Sequence, residues 1–339
     1  MNPVFIYTLV SLGLIGFILG AGLAYSAKKF AVEKNPLAEE ILSLLSGANC
    51  GGCGFAGCAA YAAAIAKGGV SAGLCAPGGQ QTVQKISKLL GLEETAAIRR
   101  IAFLHCAGSK EKAKDKYIYD GIKDCRIAAY LGGGPKACDY GCMGFGSCVD
   151  VCKFNALHMG EDGLPVVDRK KCTACGACVR ICPKKLFDLL PDMTAVYLAC
   201  SSHEKGKAVK DVCSIGCIGC SLCVKVTEPG IIEMKDNLPS INYDAIPSLI
   251  LAHYKCPTKS YIDLIPKRSH MNIDTKCKGH VKCVEVCPVK ECIIGEPGQN
   301  HKIDPKKCIG CGLCLSVCPE KAIHVVGAMG YVGMDMVKE

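Results

Sequence analysis

What the sequence lacks narrows it first. Tryptophan is absent, and aromatic residues make up only 6% of the 339 positions. No G-x-G-x-x-G follows a strand-like run, so no dinucleotide such as NAD is expected to bind this chain directly. The glycine-rich LGGGPKAC at 131–138 leads into a cysteine block and reads as a turn. No nucleophile–base pair stands out, which leaves no catalytic residue to name. From Val4 to Ser26 there is no Asp, Glu, Lys, Arg or His, and nothing basic precedes that run. A cleaved signal peptide would want a basic leader there.

What is present is cysteine, 28 of them. Disulfide scaffolds are small and secreted, and they do not carry C-x2-C-x2-C triplets followed by proline. Zinc modules use separated C-x2-C pairs, so a third cysteine two residues on is surplus. A cubane iron–sulfur cluster uses it, because three of its corners are reached from one tight loop. The formal charge of +9 invites a nucleic-acid partner. Each cubane with four thiolates brings about −2, so six would add about −12 and cancel that charge. No nucleic-acid partner is expected; the lysines suit an acidic electron donor.

Val4 to Ser26 is long enough to span a bilayer, and Lys28 and Lys29 follow it. The positive-inside rule then predicts a single pass in the cell (inner) membrane, with the N-terminus outside and the cysteine-rich remainder cytoplasmic. With no charged group, the helix is an anchor rather than an ion path. After a linker and an amphipathic PLAEEILSLLSG comes GANCGGCGFAGC, with Cys50, Cys53, Cys58 and Cys75 as one self-contained site. The alanine-rich 59–67 is expected to be a helix.

A near-repeat follows. IAFLHCAGSKEKAKD (101–115) resembles AVYLACSSHEKGKAVKD (195–211), and each copy precedes a ferredoxin-like cysteine block. A third block begins near residue 277. In a two-cluster ferredoxin the last cysteine of each half-motif ligates the other half's cluster, which allows a position-by-position audit. In the first block Cys172, Cys175 and Cys178 are completed by Cys152. Cys142, Cys148 and Cys182 have Phe145 where a ligand should stand, and Cys138 is the expected substitute.

In the second block Cys217, Cys220 and Cys223 are completed by Cys256. The ligands of the companion cluster have become Thr227, Ile246, Leu249 and Ala252, so a cavity filled by side chains is expected. In the third block Cys308, Cys311 and Cys314 are completed by Cys287. Cys277, Cys283 and Cys318 have His280 at the open position. His280 or Cys292 as fourth ligand, or a three-iron cluster, all remain open. Cys106, Cys125, Cys200 and Cys213 are left over. They read as buried small hydrophobes, although four thiols could in principle hold a further cluster.

The expected fold is α+β: a transmembrane anchor (1–29), a linker with a small [4Fe-4S] domain (30–97), then tandem ferredoxin-like βαββαβ-type modules. These modules would span 98–190 with two clusters, 191–265 with one, and 266–339 with one or two plus a C-terminal tail. Six [4Fe-4S] clusters are expected, within a range of five to seven.

This order of parts, with GANCGGCGFAGCAAYA and PKACDYGCMGFGSC as its most specific stretches, resembles the B subunit of the Rnf complex, the membrane-bound ferredoxin:NAD oxidoreductase. The resemblance covers essentially the whole chain. It implies that reduced ferredoxin delivers electrons here, and that they pass to other membrane subunits and on to NAD, with Na+ or H+ export. An electron-transfer subunit of a hydrogenase or formate dehydrogenase is the rival, against which the N-terminal cluster domain speaks. A cluster-assembly scaffold is a third reading, against which the number of complete sites speaks.

Overall fold

The computed structural model describes residues 3–29, 35–92, 98–245, 248–265 and 268–327. The expected C-terminal tail from 328 lies outside these, as do Ile246 and much of the linker after the first helix. Helix α1 (Pro3–Lys29) ends on its only basic pair, Lys28 and Lys29. Its described apolar side chains stand exposed, among them Leu12 at 70% and Phe17 at 76%, and none of them belongs to a core cluster of the described residues. Counted over the described residues, no helix is long and apolar enough to cross a membrane.

Helix α2 (Pro36–Leu44) starts where Asn35 accepts a hydrogen bond from the Leu37 amide and Pro36 supplies a preset φ. It packs on α3 (Cys58–Ala66), the expected alanine-rich helix, and on α4 (Gly79–Leu90). Ile41, Tyr61 and Ile86 are essentially inaccessible at this junction. Each such side chain contributes about 1.5–3 kcal/mol of burial. The Tyr61 hydroxyl donates to Ser71 O and accepts from the Leu74 amide, tying the loop before Cys75 to α3.

The order β-α-β-β-α-β then occurs three times. The first unit has β1 (Arg100–Leu104), an extra helix α5 (Cys125–Tyr130), α6 (Ser147–Asp150), β2 (Leu157–Met159), β3 (Pro165–Val167), α7 (Ala177–Ile181) and β4 (Phe187–Pro191). The second has β5 (Val196–Leu198), an extra α8 (Lys207–Val212), α9 (Leu222–Val226), β6 (Ile232–Lys235), β7 (Leu238–Ile241), α10 (Ile250–Lys255) and β8 (Tyr261–Asp263). The third has β9 (His270–Ile273), α11 (Lys282–Val286), β10 (Ile293–Ile294), β11 (Lys302–Ile303), α12 (Leu313–Val317) and β12 (Ile323–Val326).

In each unit the first and last strands pair antiparallel, with Leu104 opposite Phe187, Leu198 opposite Tyr261 and Ile273 opposite Ile323. The inner two strands form a hairpin.

Strand alternation decides what each face does. Ala102 and Leu104 of β1 face the cysteine-lined core of the first unit, while Ile101 and Phe103 face the second. There they meet Tyr197 and Ala199, with the rings of Phe103 and Tyr197 edge-on at 5.0 Å. Arg169 lies over Phe103 and pairs with Asp192, both half-buried. The first two units are therefore joined through a shared apolar layer.

Candidate metal centres

None of the 28 cysteines is in a disulfide. In the first unit the loop before α7 and the end of α6 bring Cys152, Cys172, Cys175 and Cys178 around one apolar cavity, as the crossing rule requires. The amides of Ala102 and Ala156 donate to the sulfurs of Cys172 and Cys152, each at 3.4 Å. Burial pushes the Cys178 thiol up to about 12, reinforced by its neighbours Cys172 and Cys175. An array of buried thiols suits a cationic iron core and is costly as bare thiolates.

The second cavity of this unit has a lining that differs from the expected ligand set. It is lined by Cys125, Cys142, Cys148 and Cys182, and Cys138 is not among them. Asp124 caps α5 by accepting from the Arg126 and Ile127 amides, and the Cys125 amide donates to Ser147 Oγ. That pins the start of α5 beside α6 and presents Cys125. Phe145, at the vacated position, turns away to stack on Tyr119 at 5.1 Å. Burial holds Cys148 at about 12, and Cys125 is its foremost thiol neighbour. The Leu186 amide donates to Cys182 Sγ.

In the second unit Cys217 and Cys223 are buried in one apolar core with Cys256 packed against it, and Cys220 lies within electrostatic reach of Cys223. The Ser260 amide donates to Cys256 Sγ at 3.4 Å. Leu249 and Ala252, which stand where cluster ligands would, are buried at 1% and 0% in the same apolar core as Val196, Leu198 and Ile232. The Thr227 hydroxyl donates to Cys223 O, within its own helical turn.

In the third unit Cys287, Cys308, Cys311 and Cys314 line one cavity, with the Met271 amide on Cys308 Sγ. Cys292 lines that same cavity, beside Cys287 and Cys308, so it does not sit with Cys277, Cys283 and Cys318. The other cavity holds Cys277, Cys283, Cys318 and two histidines. His280 is 43% exposed and faces Glu320 at 3.9 Å. His301, which no cysteine spacing picks out, is 1% exposed, with Nδ1 3.8 Å from Cys277 Sγ and Nε2 buried without a partner.

Around Cys50, Cys53, Cys58 and Cys75 the packing is close. Cys58 and Cys75 are buried in the α2–α4 core and Cys53 packs against it. Asn49 Oδ1 accepts from the Cys58 amide at 2.8 Å. This domain seats on the first unit: Arg180 donates to Cys50 O at 3.1 Å and to Cys175 O at 3.2 Å. A Cβ at Gly52 would lie 2.8 Å from Cys175 O, so only glycine permits the approach.

Among the described residues no group of His, Cys, Asp or Glu is gathered tightly enough for a single metal ion. Thiols at the corners of a cubane stand farther apart than the ligands of one ion. All-sulfur donors, apolar walls and amide-to-sulfur bonds fit iron–sulfur clusters. Fold and sites together define a multi-cluster ferredoxin-type protein.

Family models agree with that class. An Fe-S cluster model matches residues 45–77, a 4Fe-4S dicluster domain matches 137–186 and a 4Fe-4S binding domain matches 301–324. Over 260 residues the chain is 41% identical to the B subunit of the ion-translocating oxidoreductase complex of Methanosarcina acetivorans, covering 77% of this chain and 98% of that one. It is 39% identical to the B subunit of the Na(+)-translocating ferredoxin:NAD(+) oxidoreductase complex of Acetobacterium woodii, covering 73% and 74%. It is 43% identical to the proton-translocating counterpart of Clostridium ljungdahlii, covering 76% and 92%. The chain belongs to this family, the B subunits of Rnf-type ion-translocating oxidoreductase complexes, and serves it in iron–sulfur electron transfer.

Proposed function

We propose that this subunit takes electrons from reduced ferredoxin and relays them towards membrane redox subunits and NAD, in a complex that exports Na+ or H+. The observation that carries the reading is the serial placement of cysteine sites, above all the N-terminal domain held to the Cys175 site by Arg180. Helix α1 is the single-pass membrane anchor in this reading. Its uncharged run and unpacked apolar side chains support that role.

Six sites follow the ferredoxin pattern and the N-terminal motif. Cys125 replaces Cys138 in the set with Cys142, Cys148 and Cys182. His301 is the ring placed to complete Cys277, Cys283 and Cys318. When bound, each [4Fe-4S] cluster supplies one-electron oxidation and reduction. The protein's part is to hold the thiolates, keep water out with buried Leu, Ile and Ala side chains, and direct amide N–H groups at sulfur. Such bonds stabilise the more negative state and tune the potential.

A groove of about 550 Å3 suits the donor; Lys110, Lys116 and Lys123 line it and Cys142 reaches it. Lys110, Lys112 and Lys114 stand exposed along the same segment. A negatively charged protein would be steered there.

The test is a redox titration of the anaerobic holoprotein followed by EPR, with iron counted on the same sample. About 24 or more irons, at four per cubane, and several low-potential signals are expected. About four irons in total, or no signal reducible by ferredoxin, would overturn the relay.

A further inference from the structure

Four cysteines outside the six sites come together between the first two units. From β1 the chain continues through Cys106, and from β5 through Cys200. The two continuations are stitched side by side: the Ala107 amide donates to Ala199 O at 3.0 Å and Ser201 Oγ to His105 O at 2.9 Å. Next, Ala113 bridges Cys213, with the Ser214 amide on Lys112 O and the Lys114 amide on Val212 O, both 2.9 Å. Asp115 bridges Lys136, and the Ala137 amide donates to Lys114 O, which delivers Cys138.

The result is a closed set. Cys138 Sγ would lie 3.7 Å from a Cβ at Gly141, next to the Cys142 amide that donates to Cys106 Sγ. Cys213 Cβ would lie 3.5 Å from one at Gly216, next to the Cys217 amide that donates to Cys200 Sγ. The four thiols are within electrostatic reach of one another. A Cβ at Gly108 would lie 3.6 Å from both the Cys106 and Cys213 sulfurs, which brings these two to the same glycine.

The contributions are symmetric in sequence. Each repeat supplies the cysteine two residues past its first strand, Cys106 or Cys200. Each also supplies the first cysteine of a C-x2-G-C motif, Cys138 in CDYGC or Cys213 in CSIGC. The third unit has Ile273 at the position of Cys138 and Cys213, and no counterpart of Cys106.

We infer that Cys106, Cys138, Cys200 and Cys213 hold a further [4Fe-4S] cluster, shared between two modules and set on the seam that joins them. Resting on the relay reading above, it deepens it. The chemistry matches the other sites. The Cys142 amide donates to Cys106 Sγ at 3.4 Å and the Cys217 amide to Cys200 Sγ at 3.2 Å, like the amide–sulfur bonds of the ferredoxin sites. Lys136, a buried ammonium paired with Asp115 at 3.0 Å, sets positive charge beside Cys106.

Among the amides that reach this site, two belong to ligands of neighbouring sites, Cys142 on one side and Cys217 on the other, while the Ser202 amide also donates to Cys200 Sγ. The site therefore stands between the two modules as a bridge. One electron enters from one neighbour and one leaves to the other; no bond is made or broken and no proton is carried. A zinc ion would need the four sulfurs about 2.3 Å from one centre, and no such gathering exists among the described residues. With this set assigned, Cys292 alone of the 28 lies outside every set.

Native mass spectrometry of the anaerobic full chain counts cubanes directly, without a variant. Seven are expected, about 28 irons and as many sulfides per chain. In the Cys138→Ser and Cys213→Ser variants the count falls by one, to about 24 irons. Should wild type carry six with no loss in either variant, or a zinc mass replace the cubane, the shared site is refuted and the relay stands. A wild-type total of about four irons instead overturns the relay itself.

Discussion

Cys125 and Cys138 show how a single side chain decides a site. Both lie upstream of Cys142, and spacing favours Cys138, four residues away. Packing brings Cys125 to the cavity lined by Cys142, Cys148 and Cys182, because the Asp124 cap and the Ser147 bond fix α5 against α6, while the Ala137 amide on Lys114 O holds the chain at Cys138 beside the 112–115 segment. No rule of spacing contains that information. The repeated C-x2-G-C was the signal available in the sequence, and it pairs Cys138 with Cys213.

His301 left no signal at all: a lone histidine after a turn gains meaning only when folding buries it beside Cys277. Cys125→Ser is expected to remove one cubane, about four irons, and one EPR signal from the chain. His301→Ala is expected to alter the signal of the Cys277 site, by loss of one iron or a changed g-tensor, while His280→Ala leaves it unchanged. The reverse pattern would return the ligand role to His280.

At the scale of elements the ferredoxin pattern was legible, because cysteine spacing dictates where one-turn helices and hairpins must fall. The three pairings of first with last strand follow from it, and so does the filled cavity of the second unit, with Leu249 and Ala252 in the core. The docking of the N-terminal domain was not legible, since the Arg180 bonds to two carbonyls and the Gly52 approach to Cys175 join residues far apart in sequence. Arg180→Ala is expected to free that domain from the first unit. Pulsed EPR between reduced clusters would then show a broader distance distribution, and limited proteolysis after α4 would release the domain sooner. An unchanged distribution would mean that the Gly52 contact alone holds the two together.

Across the whole molecule, cysteine count and spacing placed the protein in its class before any contact was known. What they left out is how the units face one another. That depends on the outward faces of β1 and β5, whose Phe103 and Tyr197 look in the sequence like ordinary strand residues. The exposed Lys112 and Lys114 flank Ala113, which bridges Cys213 at this seam, and Lys110 lies against Gly163 of the first unit. Electron entry there would put the first acceptor near the middle of the chain, with paths to both sides.

The most direct measurement is stopped-flow oxidation of reduced ferredoxin by the anaerobic full-length chain. A Lys110→Glu, Lys112→Glu, Lys114→Glu variant is run alongside at low salt. The wild-type chain should oxidise several equivalents of ferredoxin per chain. The variant should reach the same total about tenfold more slowly, with the difference shrinking as salt is raised. Uptake of one electron or none by the wild-type chain would contradict a relay of clusters fed by ferredoxin.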